Sequence, residues 1–145
     1  MRKVWIGTAS LVAIYGVVST VMTFDINHYN RDLSLRVDAG AAMTAVLNSE
    51  EVQRGKKCGP IWVPNHKLIP EVRWRLNLPD GAVLARTDEL QGKPQDGVVI
   101  LVVGRSLLLR QGLPKEQKQT DVQLPPAGFK LAVAGNYYAA YVRCR

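Results

Sequence analysis

The sequence predicts an α/β protein: one N-terminal transmembrane helix, then a small three-layer α/β domain with a mostly parallel sheet and a C-terminal antiparallel hairpin. Three observations predict it. Val4–Phe24 holds no charged residue, and a helix of that length, at about 1.5 Å per residue, crosses a hydrocarbon core of about 30 Å. Val98–Val103 reads Val-Val-Ile-Leu-Val-Val. Such a run without alternation marks a strand buried on both faces, as at the centre of an α/β sheet. Gly135-Asn136 separates two strand-like runs, Phe129–Ala134 and Tyr137–Arg143, and is a two-residue hairpin signal.

The apolar run divides the chain into an anchor (1–24), a juxtamembrane link (25–36) and a domain (37–145). Arg2 and Lys3 precede the run and Asp25 follows it. A cleaved signal peptide would need a shorter apolar core and a small-residue cleavage site, and Thr20-Val-Met-Thr-Phe-Asp offers no Ala-x-Ala pattern. A buried core helix would show a polar stripe, and the Ser and Thr residues here do not line one face. The basic start favours a cytoplasmic amino terminus and an extracytoplasmic domain, so the expected location is the cell membrane, single-pass. Arg31 and Arg36 blunt that asymmetry. The polar link carries His28 and Tyr29, residues suited to a headgroup region.

About 120 residues follow the anchor, enough for one domain with a core and too few for two. The formal charge is +7, of which +5 lies beyond Arg2 and Lys3. A basic domain beside a bilayer suits anionic lipid or another anionic envelope ligand, and another membrane protein is a further candidate partner. No nucleic-acid motif is present. Cys58 and Cys144 are the only cysteines. They bracket most of the domain and read as one disulfide formed in an oxidising compartment. Two distant cysteines and two distant histidines do not make a metal site, and no motif calls for a cofactor.

Along the domain, Val37–Gln53 reads as a helix with Val37, Ala41, Met43, Val46 and Leu47 near helical spacing, and Gly55 placed to end it. Cys58–Pro64 reads as the first strand. Lys67–Leu78 reads as a helix starting near Pro70, with Leu68, Ile69, Val72, Trp74 and Leu76 covering the sheet. Pro79-Asp80-Gly81 is a turn and Ala82–Arg86 a short strand. Glu89–Gly97 is a polar loop, Leu107–Gln111 a short helix, and Leu113–Pro126 a long, mobile polar connection.

Ligands of open α/β sheets sit beyond the carboxyl ends of the strands. Those ends carry Asn65 and His66, Thr87 and Asp88, and Gly104, Arg105 and Ser106. Gly-Arg-Ser leading into a helix presents N–H groups and a cation to an anion, or simply caps the helix. His66, Asp88 and Ser106 would supply base, acid and nucleophile if they met. No nucleophile elbow, phosphate loop or metalloprotease motif supports that grouping, so a non-catalytic binding or accessory domain is the first expectation and a small envelope enzyme the second.

Cys58-Gly-Pro-Ile-Trp-Val-Pro-Asn-His, Val83-Leu-Ala-Arg-Thr-Asp and the stretch from Asn136 to Cys144 carry a resemblance. The chain resembles the C-terminal end of polytopic bacterial membrane glycosyltransferases of the polyprenyl-phosphate-sugar type, and related actinobacterial membrane proteins. In those a last membrane helix leads into an extracytoplasmic tail domain. The resemblance implies a detached tail or accessory subunit serving envelope glycan machinery. It carries over no catalytic residue, because those enzymes place their carboxylates between earlier spans that this chain lacks.

Overall fold

The computed structural model describes residues 2–23, 26–88, 90, 92–111 and 124–144. The chain divides into two units, Met1–Val37 and Asp38–Arg145.

The first unit contains helix α1 (Arg2–Thr23) and the start of α2 (Ile26–Leu47). Leu11, Val12, Ile14, Tyr15, Val17 and Val18 of α1 are exposed. Ser19 Oγ and Thr20 Oγ1 donate to the Gly16 carbonyl at 3.0 and 2.7 Å. Among the described residues no helix is long and apolar enough to cross a membrane. This corrects the expected transmembrane helix over Val4–Phe24. Gly7, Ser10, Gly16, Ser19 and Thr20 interrupt the apolar residues of α1. Phe24 and Asp25 lie outside the described residues. Residues 26–36, read as a polar link, are helical and open α2.

The second unit is a mixed α/β domain. The end of α2 buries Ala39, Met43, Val46 and Leu47, the i, i+4, i+7, i+8 stripe of an amphipathic helix. Val37, expected on that stripe, is 69% exposed. Helix α3 (Glu50–Gly55) follows, with Glu50 and Glu51 in its first turn and Arg54 in its last, charges that suit the helix dipole. Strand β1 is Ile61–Val63. A 3-10 turn, His66–Leu68, leads into α4 (Ile69–Leu76), where Pro70 occupies the first turn and Asn77, at φ 49°, ends the helix in the left-handed conformation. Strand β2 is Val83–Ala85, β3 is Gly97–Val102, α5 is Arg105–Gln111, β4 is Lys130–Ala134 and β5 is Tyr138–Arg143.

The five strands form one sheet in the order β2-β1-β3-β5-β4. Strand β1 pairs parallel with β2 and β3, and β5 pairs antiparallel with β3 and β4. The sheet is therefore evenly mixed rather than mostly parallel. The expected C-terminal hairpin is present as β4–β5, with a register shift between Leu131 and Val133.

Every residue of β3 is buried. Val98, Ile100 and Val102 pack with Met43, Leu47, Val52, Leu68, Val72 and Leu107 from the helices. On the opposite face Val99 and Leu101 pack with Trp62 and Phe129, flanked by Leu84 and Tyr141. Among the described residues, helices pack on the first face of the sheet and loop residues on the second. Residues 113–123 of the expected mobile connection lie outside the described residues.

Candidate functional site

Parallel pairing brings the carboxyl ends of β1, β2 and β3 to one edge, as strand-end logic requires. The residues there are occupied with local structure. Asn65, 6% exposed, accepts the Lys67 N–H on Oδ1 at 3.1 Å and so caps the 3-10 turn. Exposed His66 starts that turn. Asp88 Oδ1 accepts the Leu90 N–H at 3.1 Å. The Gly104 carbonyl accepts from Leu107 and Leu108 at 3.0 and 2.9 Å, so Gly104, not Ser106, stands at the cap of α5. Arg105 and Ser106 are exposed in its first turn. Among the described residues no hydrogen bond or ion pair joins His66, Asp88 and Ser106, and no three His, Cys, Asp or Glu side chains come together to hold a metal.

Cys58 and Cys144 form a disulfide with a Cα–Cα distance of 5.4 Å across a sequence separation of 86. Both are exposed. The bridge ties the segment after α3 to the end of β5.

A different place gathers polar chemistry. Thr44 of α2, Asn48 just after it, and Glu71, Trp74 and Arg75 of α4 line a groove of about 370 Å³. Arg75 is held by two partners, Glu71 and Thr44. Its Nε and Nη2 donate to Glu71 Oε1 at 3.1 and 2.9 Å. Its Nη1 donates to Thr44 Oγ1, and that hydroxyl donates in turn to the Gly40 carbonyl at 3.0 Å. A Cβ on Gly40 would stand 3.2 Å from Arg75 Nη2, so the missing side chain makes room for the guanidinium. Trp74 is 87% exposed beside this pair.

The sequence reading placed Trp74 on the sheet-covering face and so missed it. The signal was available. Leu68, Val72 and Leu76 recur every four residues and share a face, while Trp74 lies two positions from Val72, roughly 200° around the helix.

Tyr138 belongs to the same charge environment. Burial first and then the Glu71 carboxylate push its hydroxyl up from 10.0 to about 12, a rise that the Arg75 cation partly offsets. An unfolded tyrosine ionises near pH 10, so the unfolded chain loses this proton first. The stabilisation is whole below pH 10 and is lost as the pH rises through about 12. Denaturant unfolding followed from pH 9 to 12 is expected to show that fall, and Tyr138→Phe to reduce it. An equally steep fall in the variant would contradict the assignment.

No family model, no curated protein and no solved structure matches this chain, so the reading of the site rests on its own geometry.

Proposed function

We propose that this chain is a binding domain of an oxidising, extracytoplasmic compartment, without catalysis of its own, that holds a neutral glycan in the Trp74 groove. The observation that carries this reading is the 87% exposure of Trp74 beside an arginine fixed by Glu71 and Thr44. An indole left in water forgoes one of the largest apolar burials a side chain offers, and α4 fills its core face with Val72 without it. A pyranose ring has a C–H face that stacks on an aromatic plane and an equator of hydroxyls that needs fixed donors and acceptors. Trp74 supplies the plane. The Glu71 carboxylate, the Asn48 amide and the Arg75 guanidinium supply the polar partners. Glu71 and Arg75 cancel in charge, which favours a neutral sugar over an anionic one. The disulfide supports the compartment.

The test is calorimetric titration of the full chain with soluble oligosaccharides: chitotetraose, maltotetraose, cellotetraose and an arabinan fragment. At least one is expected to bind, with affinity falling at least tenfold in Trp74→Ala. Because Trp74 is exposed, that substitution should leave stability within about 0.5 kcal/mol. Absence of binding across the panel, or unchanged binding by Trp74→Ala, would overturn the reading.

A further inference from the structure

Trp74 is the middle of a stripe. Glu71 stands three residues before it and Asn77 three after it, and residues three apart share one side of a helix. Trp74 and Asn77 are exposed, and the Glu71 side chain is 38% exposed. From Glu71 to Asn77 the stripe covers about 9 Å of helix axis, at about 1.5 Å per residue. Exposed Asn48, just after α2, faces it from the groove's other wall.

The folded domain sets the positions along this stripe. Arg75 ties Glu71 to Thr44 of α2. Asn77 is placed by the left-handed cap of α4: its N–H donates to the Trp74 carbonyl at 3.4 Å, and the Leu78 N–H to the Arg73 carbonyl at 3.1 Å. The groove, at about 370 Å³, lies at the low end of the roughly 300 to 1,000 Å³ of small-molecule sites. One or two pyranose rings suit that volume, whereas the stripe runs on past Trp74 in both directions. At 87% exposure the indole stands open, so a ring stacked on it keeps its far face and both its ends in water. A site that reads a chain terminus closes against the place of the next unit, and a site for a free small molecule encloses most of its surface. This open stripe does neither.

We propose that the groove binds the interior of a linear polysaccharide whose units are joined through equatorial bonds, as in cellulose and chitin. One unit lies on Trp74 and its neighbours extend towards Glu71 and Asn77. This inference rests on the glycan reading above and narrows it. In an equatorially linked chain each linkage leaves the ring close to its mean plane. Both faces of every unit are then C–H surfaces, and the chain passes flat over the indole. An axial linkage turns the next unit out of that plane, either off the indole or into α4. Equatorial hydroxyls project from the ring edge, where the Glu71 carboxylate accepts and the Asn48 and Asn77 amides both donate and accept.

The experiment titrates the full chain calorimetrically with cellobiose, cellotetraose and cellohexaose, with the matching chitin oligomers, and with maltohexaose and the arabinan fragment. In at least one of the two equatorial series, affinity is expected to rise at least tenfold from dimer to hexamer. Maltohexaose, which is axially linked, should bind at least tenfold more weakly than that hexamer. Reducing the hexamer's end to the alditol with borohydride should change its affinity by less than about twofold, because interior units carry the binding. Asn77→Gly keeps a residue suited to the left-handed cap and removes the amide, and it should weaken the hexamer several-fold. Binding confined to maltohexaose or the arabinan fragment would overturn this proposal and leave the glycan reading standing. So would dimers that bind as tightly as hexamers, an alditol that loses affinity, or a hexamer indifferent to Asn77→Gly. No binding by any of these sugars would overturn both.

Discussion

Opening the Cys58–Cys144 bridge is expected to lower the stability of the oxidised chain by about 4 to 5 kcal/mol. The bridge closes a loop with a sequence separation of 86, and the chain-entropy model assigns roughly that value to a loop of this length. The loss is large against the roughly 5 to 15 kcal/mol by which domains are stable. It also falls where the fold needs it. Its two outer strands, β2 and β4, are short. Urea unfolding of the parent chain with and without reductant, and of the Cys58→Ser, Cys144→Ser double variant, measures the difference. Both cysteines are exposed, so reductant reaches the bridge in the folded protein. A change below about 1 kcal/mol would show that the unfolded chain is not restrained in the way this model requires.

Gly97→Ala is expected to be the most damaging single methyl group. Gly97 starts β3 at φ 100°, a conformation that L side chains rarely adopt. A Cβ there would stand 2.3 Å from the Pro60 carbonyl oxygen and 2.8 Å from the Gly59 carbonyl carbon. Both are backbone atoms, and the Val98 N–H bonds that same Pro60 oxygen at 3.2 Å, so neither neighbour moves without breaking the junction of β1 and β3. Backbone strain of about 1 to 3 kcal/mol adds to overpacking of similar size, giving an expected loss of about 3 to 5 kcal/mol in urea unfolding. Gly81 makes the control. It too has positive φ, at 80°, but a Cβ there meets nothing within 4 Å. Gly81→Ala should therefore cost clearly less. Equal losses at both positions would assign the effect to φ alone.

What the sequence made legible was what local chemistry decides. Val98–Val103 could only be a strand buried on both sides, and β3 is that strand at the centre of the sheet. Gly135-Asn136 marked the hairpin, and the two cysteines stood at the ends of elements that meet. The rest depended on tertiary placement. The Ala-rich stretch from Ala39 to Ala45 offers nearly equal hydrophobicity on several faces, so sequence alone placed Met43, Val46 and Leu47 on the buried stripe but added Val37 and Ala41 and left out Ala39. Among the described residues, Phe129 packs with Trp62 and Leu101 on the second face of the sheet, a contact between segments far apart in sequence. Site residues followed the same division. Strand-end placement was readable for Asn65, His66, Asp88, Gly104, Arg105 and Ser106, but their hydrogen bonds serve caps and turns. The Arg75–Thr44 contact joins residues 31 apart, a separation that leaves no periodic trace in sequence.

The extracytoplasmic binding role presupposes an oxidised domain in its native setting, and the state of its two thiols there tests that most directly. The measurement is alkylation of Cys58 and Cys144 in protein taken from cells, acid-quenched and unfolded, with and without prior reduction. Labelling only after reduction is the predicted result, and it would place the domain in an oxidising compartment. Full labelling without reduction would contradict it: the bridge would be absent where the protein works, and the extracytoplasmic binding role would fall with it.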